Sequence, residues 1–122
     1  MIDVPQVLNL LEIAVSERGE DFHYEDYLQT DYAHVLNGAS DCRYSDGAGS
    51  PLCIAGMVLN EVGLLDYVSE GSTVTTDQPR LIRKVSHDGL QVLLAAQVAQ
   101  DTGQSWGYAL QAARLKADEL AS

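Results

Sequence analysis

A chain of 122 residues with 18 acidic and 7 basic side chains has a net charge of −11, which suits a single domain and disfavours a polyanionic partner. Its apolar share of 46% is enough for a core without disulfides or metals, which argues against wholesale disorder. No apolar run approaches the roughly 18 residues of a membrane span, and the N-terminus lacks the basic and apolar regions of a secretory signal. The expectation is one globular domain over 1–122 in a cytoplasm, with its two cysteines kept as thiols.

The charge is unevenly spread. Residues 1–79 hold fourteen acids against Arg18 and Arg43, a net of −12, whereas residues 80–122 carry a net of +1. Phosphate-backbone binding requires clustered Lys and Arg, and only Arg80, Arg83 and Lys84 approach that. Direct nucleic-acid binding is therefore not expected.

Asp3 is placed to cap a first helix, with Pro5 tolerated in its opening turn. Val4, Val7, Leu8, Leu11 and Val15 follow helical spacing, and Leu10 and Ile13 widen that stripe. Arg18 suits the helix C-terminus, and Gly19 suits its stop. Residues 20–41 alternate acids with Phe22, Tyr24, Tyr27 and Tyr32, and a short helix is expected from Thr30 to Gly38. Cys42–Tyr44 reads as briefly extended, and Ser45–Gly49 as a turn.

Ser50 then reads as a cap, with Pro51 at the first helical position. Leu52, Ala55, Leu59 and Val62 line one face, and Gly63 closes the helix. This start puts Cys53 in the first turn. Leu64–Glu70 reads as a further short helix ending at Gly71, and Ser72–Thr76 as an extended connector. From Asp77 and Pro79 to Val85 the pattern fits either a short helical piece or a strand, since Leu81, Arg83 and Val85 alternate.

Ser86 caps a helix running through Thr102, with Asp88 in its favourable first turn. Leu90, Leu93, Leu94, Ala96 and Val98 make it apolar on most sides, as in a central helix. Gly103 ends it and Ser105 caps the next, whose Trp106, Ala109, Leu110, Ala113, Ala117 and Leu120 share one face. So short a link implies an antiparallel helical hairpin. Gln97, Gln100, Asp101 and Gln104 read as its wet side. The fold expected is mainly α, a compact multi-helix domain with a C-terminal hairpin. One short β-hairpin near residues 41–54 is compatible with it.

Two blocks look familiar together. One is Cys42-Arg43-Tyr44, the turn, Pro51-Leu52-Cys53-Ile54-Ala55-Gly56 and Val58-Leu59. The other is Ala95-Ala96-Gln97, Gln100-Asp101, Gly103, Trp106 and Ala109-Leu110. The pair resembles small proteins of actinobacterial phages and related prophages that carry no assigned activity. The likeness covers about residues 40–115. It implies a phage product in the cytoplasm of a bacterial host, and it implies no mechanism.

Catalytic chemistry has one candidate. A thiol at Cys53, near the positive end of a helix and with His34 or His87 folded close, would form a nucleophile–base pair. The plain alternative is a buried core residue, since cysteine is among the most buried types. Cys42, Cys53, His23, His34 and His87 lack the tight pairs of a structural zinc site, and no metal or other cofactor is expected. Ser86-His87-Asp88 are consecutive, so they point apart and cannot act as a triad.

The acidic aromatic stretch offers a different surface. Glu20, Asp21, Tyr24, Glu25, Asp26 and Tyr27 combine interface anchors with charges that steer approach, which suits docking on a basic protein partner. The bland reading is a solvated connector. A binding protein is the leading expectation, with a Cys53 thiol enzyme and a minor virion component as the alternatives.

Overall fold

The computed structural model describes residues 1–24, 51, 53–68 and 78–122. The expected helix at 30–38, the extended piece at 42–44, the turn at 45–49, the cap at Ser50 and the connector at 72–76 lie outside them. So does most of the β-hairpin allowed for near 41–54. Among the described residues the chain is mainly helical: α1 (Val4–Arg18), α2 (Ile54–Glu61), α3 (Pro79–Ile82), α4 (His87–Asp101) and α5 (Trp106–Ala121). A single 3₁₀ turn, Leu65–Tyr67, follows α2 where a helix through Glu70 was expected.

Helix α1 starts as its sequence dictates. The Asp3 side chain accepts from the Gln6 N–H, and the Gln6 side chain accepts in return from the Asp3 N–H, closing a capping box. Its buried face is Val7, Leu11, Ala14 and Val15. Ile13 does not join that face and is exposed.

Helices α4 and α5 form the expected C-terminal pair, the most extensive helix–helix packing among the described residues. Ser86 caps α4 through Gly89 N–H at 3.0 Å, and Ser105 caps α5 through Tyr108 N–H at 3.2 Å. Between them Gly103 takes φ +92°, a conformation that a side chain would strain. Alanines 96, 99, 109 and 113 are buried within this pair, and α1 packs across α4, α5 and α2.

The ambiguous stretch before α4 resolves as the short helical piece, with an isolated bridge at Val85 and no strand among the described residues. Pro79–Ile82 is helical, and then Val85 forms a parallel bridge with Ile2. Ile2 N–H donates to Lys84 O at 2.9 Å, and Ser86 N–H donates to Ile2 O at 2.7 Å. The chain ahead of α1 is thereby pinned to the start of α4.

Helix α2 departs from the sequence reading. It starts at Ile54, not at Pro51, and its N-cap is Cys53 itself. All six residues from Ile54 to Leu59 are buried, so α2 is a short internal rod rather than an amphipathic surface helix. Val62, expected on its apolar face, lies beyond its end and is exposed.

Candidate functional site

A buried helix start must find acceptors for backbone N–H groups that have no partner inside the helix. At α2 these come from α4. Ile54 N–H donates to Gln100 Oε1 at 2.8 Å, and Ala55 N–H donates to Gln97 Oε1 at 3.1 Å. Gly56 N–H donates to Cys53 Sγ at 3.4 Å. Gln100 Oε1 takes a second bond from Trp106 Nε1 at 3.2 Å. The amide nitrogens of Gln97 and Gln100 both donate to Asp101 Oδ1, at 3.1 and 3.0 Å.

This polar node ties α2, α4 and the start of α5 together. Gln97 and Gln100 are 4% and 2% exposed, so they belong to the interior and not to the wet side of the hairpin. Their place was marked in the sequence all the same. Leu90, Leu93, Gln97 and Gln100 follow the i, i+3, i+7, i+10 spacing of one helix face, so the glutamines continue the apolar stripe.

Cys53 carries a thiol and is 0% exposed. It stands at the cap of α2 rather than in its first turn, with its sulfur turned back onto Gly56 N–H. Solvent, substrate and alkylating reagent have no direct approach to it. His87, one of its two suggested partners, has a side chain 85% exposed and 3.5 Å from Asp88 Oδ1, so the structure does not bring His87 onto Cys53. His34, the other, lies outside the described residues.

Comparison with family models, curated proteins and solved structures finds no match.

The acidic stretch begins on well-defined ground. Trp106 N–H donates to Phe22 O and Gly107 N–H donates to Glu20 O, both at 2.8 Å. The main chain of residues 20–22 thus supplies acceptors to the first turn of α5. Phe22 meets the Trp106 ring edge-on, with centroids 4.8 Å apart and planes at 76°. Arg18 reaches over Phe22 at 5.5 Å and donates to Met57 Sδ at 3.8 Å, which links the end of α1 to this segment and to α2. Gly107 is required here, because a Cβ would stand 2.9 Å from Glu20 O and 3.0 Å from Glu20 Cβ.

The side chains on that anchored backbone divide in two. Glu20 and Asp21 are exposed, while Tyr24 is half-buried and packs on the core. His23 Nδ1 lies 2.8 Å from Asp21 O. Glu25, Asp26 and Tyr27, the rest of the predicted contact face, lie outside the described residues. Among the described residues no three His, Cys, Asp or Glu side chains converge on one point, and Cys42 and His34 of the metal candidates are not among them. No described helix is long and apolar enough to cross a membrane.

Proposed function

We propose that this protein acts by binding another protein, presenting the acidic stretch that starts at Glu20 to a basic face of its partner. The observation that carries this reading is the clamp at the head of α5. Two main-chain hydrogen bonds and the Phe22–Trp106 contact hold residues 20–22, and the Glu20 and Asp21 carboxylates remain exposed. The fold uses the backbone of the segment and leaves its charges for something else. Exposed carboxylates steer a basic partner, and the tyrosines among them supply anchoring area. The burial of Cys53 supports binding over thiol chemistry.

The resemblance of the 42–59 and 95–110 blocks to phage and prophage proteins supports a setting in a bacterial host's cytoplasm, with a host protein as partner. The test is affinity purification from a bacterial lysate with the native chain and with the E20Q/D21N/E25Q/D26N variant. A protein retained by the first and lost by the second is the expected result. If both retain the same proteins, the acidic face is not the contact surface.

A further inference from the structure

A second surface differs in sign and lies apart from the acidic one in sequence. Arg80, Arg83 and Lys84 are three of the chain's seven basic residues, and they occupy i, i+3 and i+4 positions on the turn of α3 and its exit. That spacing puts three like charges side by side, a repulsive arrangement. All three are exposed, and none forms an ion pair with a carboxylate among the described residues.

The Arg80 side chain is held in place, and the main chain that carries Arg83 and Lys84 is fixed. The Arg80 guanidinium lies 4.3 Å from the centroid of the Tyr67 ring, and Nη1 donates to Asp66 O at 3.3 Å. Lys84 N–H donates to Leu81 O at 2.8 Å, and Lys84 O accepts from Ile2 N–H, so the backbone beneath Arg83 and Lys84 is fixed at both ends.

They also border concave space. One cleft of about 450 Å³ is walled by Tyr67, Pro79, Arg80, Arg83 and Lys84. A second of about 560 Å³ shares Tyr67, Arg83 and Lys84 and continues along Ile2, Val62 and Leu64. Both fall within the size range of small-molecule sites. Arg83 and Lys84 stand where the two meet, Arg80 lines only the first, and the ring of Tyr67 with Pro79 gives that first cleft its apolar side.

We propose that the first cleft binds a phosphate-bearing small molecule, with its phosphate on Arg80, Arg83 and Lys84 and its organic body against Tyr67 and Pro79. Two guanidinium forks suit the oxygens of a phosphate, and three positive charges suit a dianion better than a lone carboxylate. A nucleic acid does not fit, because a polyanion would extend past three cations onto a chain of net charge −11. A compact anion stays within the screening length of the cluster.

The proposal is independent of the acidic contact face and is tested separately. The full chain, labelled with ¹⁵N, is titrated with inorganic phosphate and, in parallel, with succinate at matched ionic strength. Saturable shifts centred on Tyr67 and residues 80–86 are expected with phosphate. They should weaken at least about tenfold in R83Q/K84Q, whose exposed substitutions leave the remaining spectrum in place. Shifts that do not saturate, that persist in the double variant, or that succinate reproduces at equal concentration overturn it. So does dimerisation abolished by the double variant without phosphate shifts, which would assign the cations to the acidic half of a second copy.

Discussion

The carboxamide oxygen of Gln100 accepts from both Ile54 N–H and Trp106 Nε1, and both donors are buried. Replacing Gln100 with Met keeps the volume and removes the acceptor, which leaves two donors unmatched at about 1–3 kcal/mol each. Gln97→Met leaves only Ala55 N–H, so its cost is about 1–3 kcal/mol in all. Urea denaturation should rank Gln100→Met as the more damaging of the two. Equal or reversed losses would mean that the node is not held as its distances imply. Cys53 gives a second expectation at this scale. Its thiol is 0% exposed, so alkylation mapped by mass spectrometry should be blocked in the native state and follow global unfolding as urea is added. Rapid native labelling at Cys53 would revive the thiol enzyme.

The helix starts show which elements can be read from the sequence and which cannot. Asp3, Ser86 and Ser105 cap α1, α4 and α5 as the sequence indicates, because a cap is settled within four residues by a side-chain oxygen and a nearby N–H. Helix α2 fails that logic. Ser50-Pro51 is the better local start, and cysteine is not a preferred cap, yet α2 begins at Ile54. The deciding acceptors, Gln97 and Gln100, sit more than 40 residues away, where only the folded chain brings them. They read as a wet face because glutamine is usually solvated, although their spacing continues the stripe of Leu90 and Leu93. The candidate site was legible as an acidic aromatic composition, but its attachment to α5 was not. That attachment is made by carbonyls of residues 20 and 22, which any sequence supplies. Gly107 is where side-chain identity enters. An alanine inside a helix gains about 1 kcal/mol over glycine in propensity, but here its Cβ meets the Glu20 main chain, and overpacking of this kind costs about 1–3 kcal/mol. Gly107→Ala should therefore be net destabilising and should speed hydrogen exchange at the Trp106 and Gly107 amides. A stabilised variant would show that residues 20–22 yield freely and would weaken the case for an anchored contact face.

For the whole molecule the question is whether charge helps or hinders folding. The Lys and Arg ion pairs seen among the described residues are Arg114–Glu12 at 3.0 Å, between α5 and α1, and Lys116–Glu119 at 3.4 Å within α5. Both involve exposed partners, and such pairs contribute about 0–1 kcal/mol. Against them stands a net of −12 over residues 1–79, and an excess of one sign disfavours the compact state through self-repulsion. Salt screens both terms, and the larger one decides the sign. Raising NaCl from about 0.02 to 0.5 M shortens the Debye length from roughly 20 to 4 Å and should relieve more repulsion than it removes attraction. The midpoint of thermal unfolding is therefore expected to rise, by about 4 °C for each kcal/mol relieved. A midpoint that falls with NaCl would mean that ion pairs outweigh the acidic excess, and the carboxylates at the head of the acidic stretch would then have a structural use within the fold. Neutralising Glu20 and Asp21 separates the cases: E20Q/D21N should raise the midpoint at low salt and have little effect at high salt, because charges kept for a partner are a burden on the isolated protein.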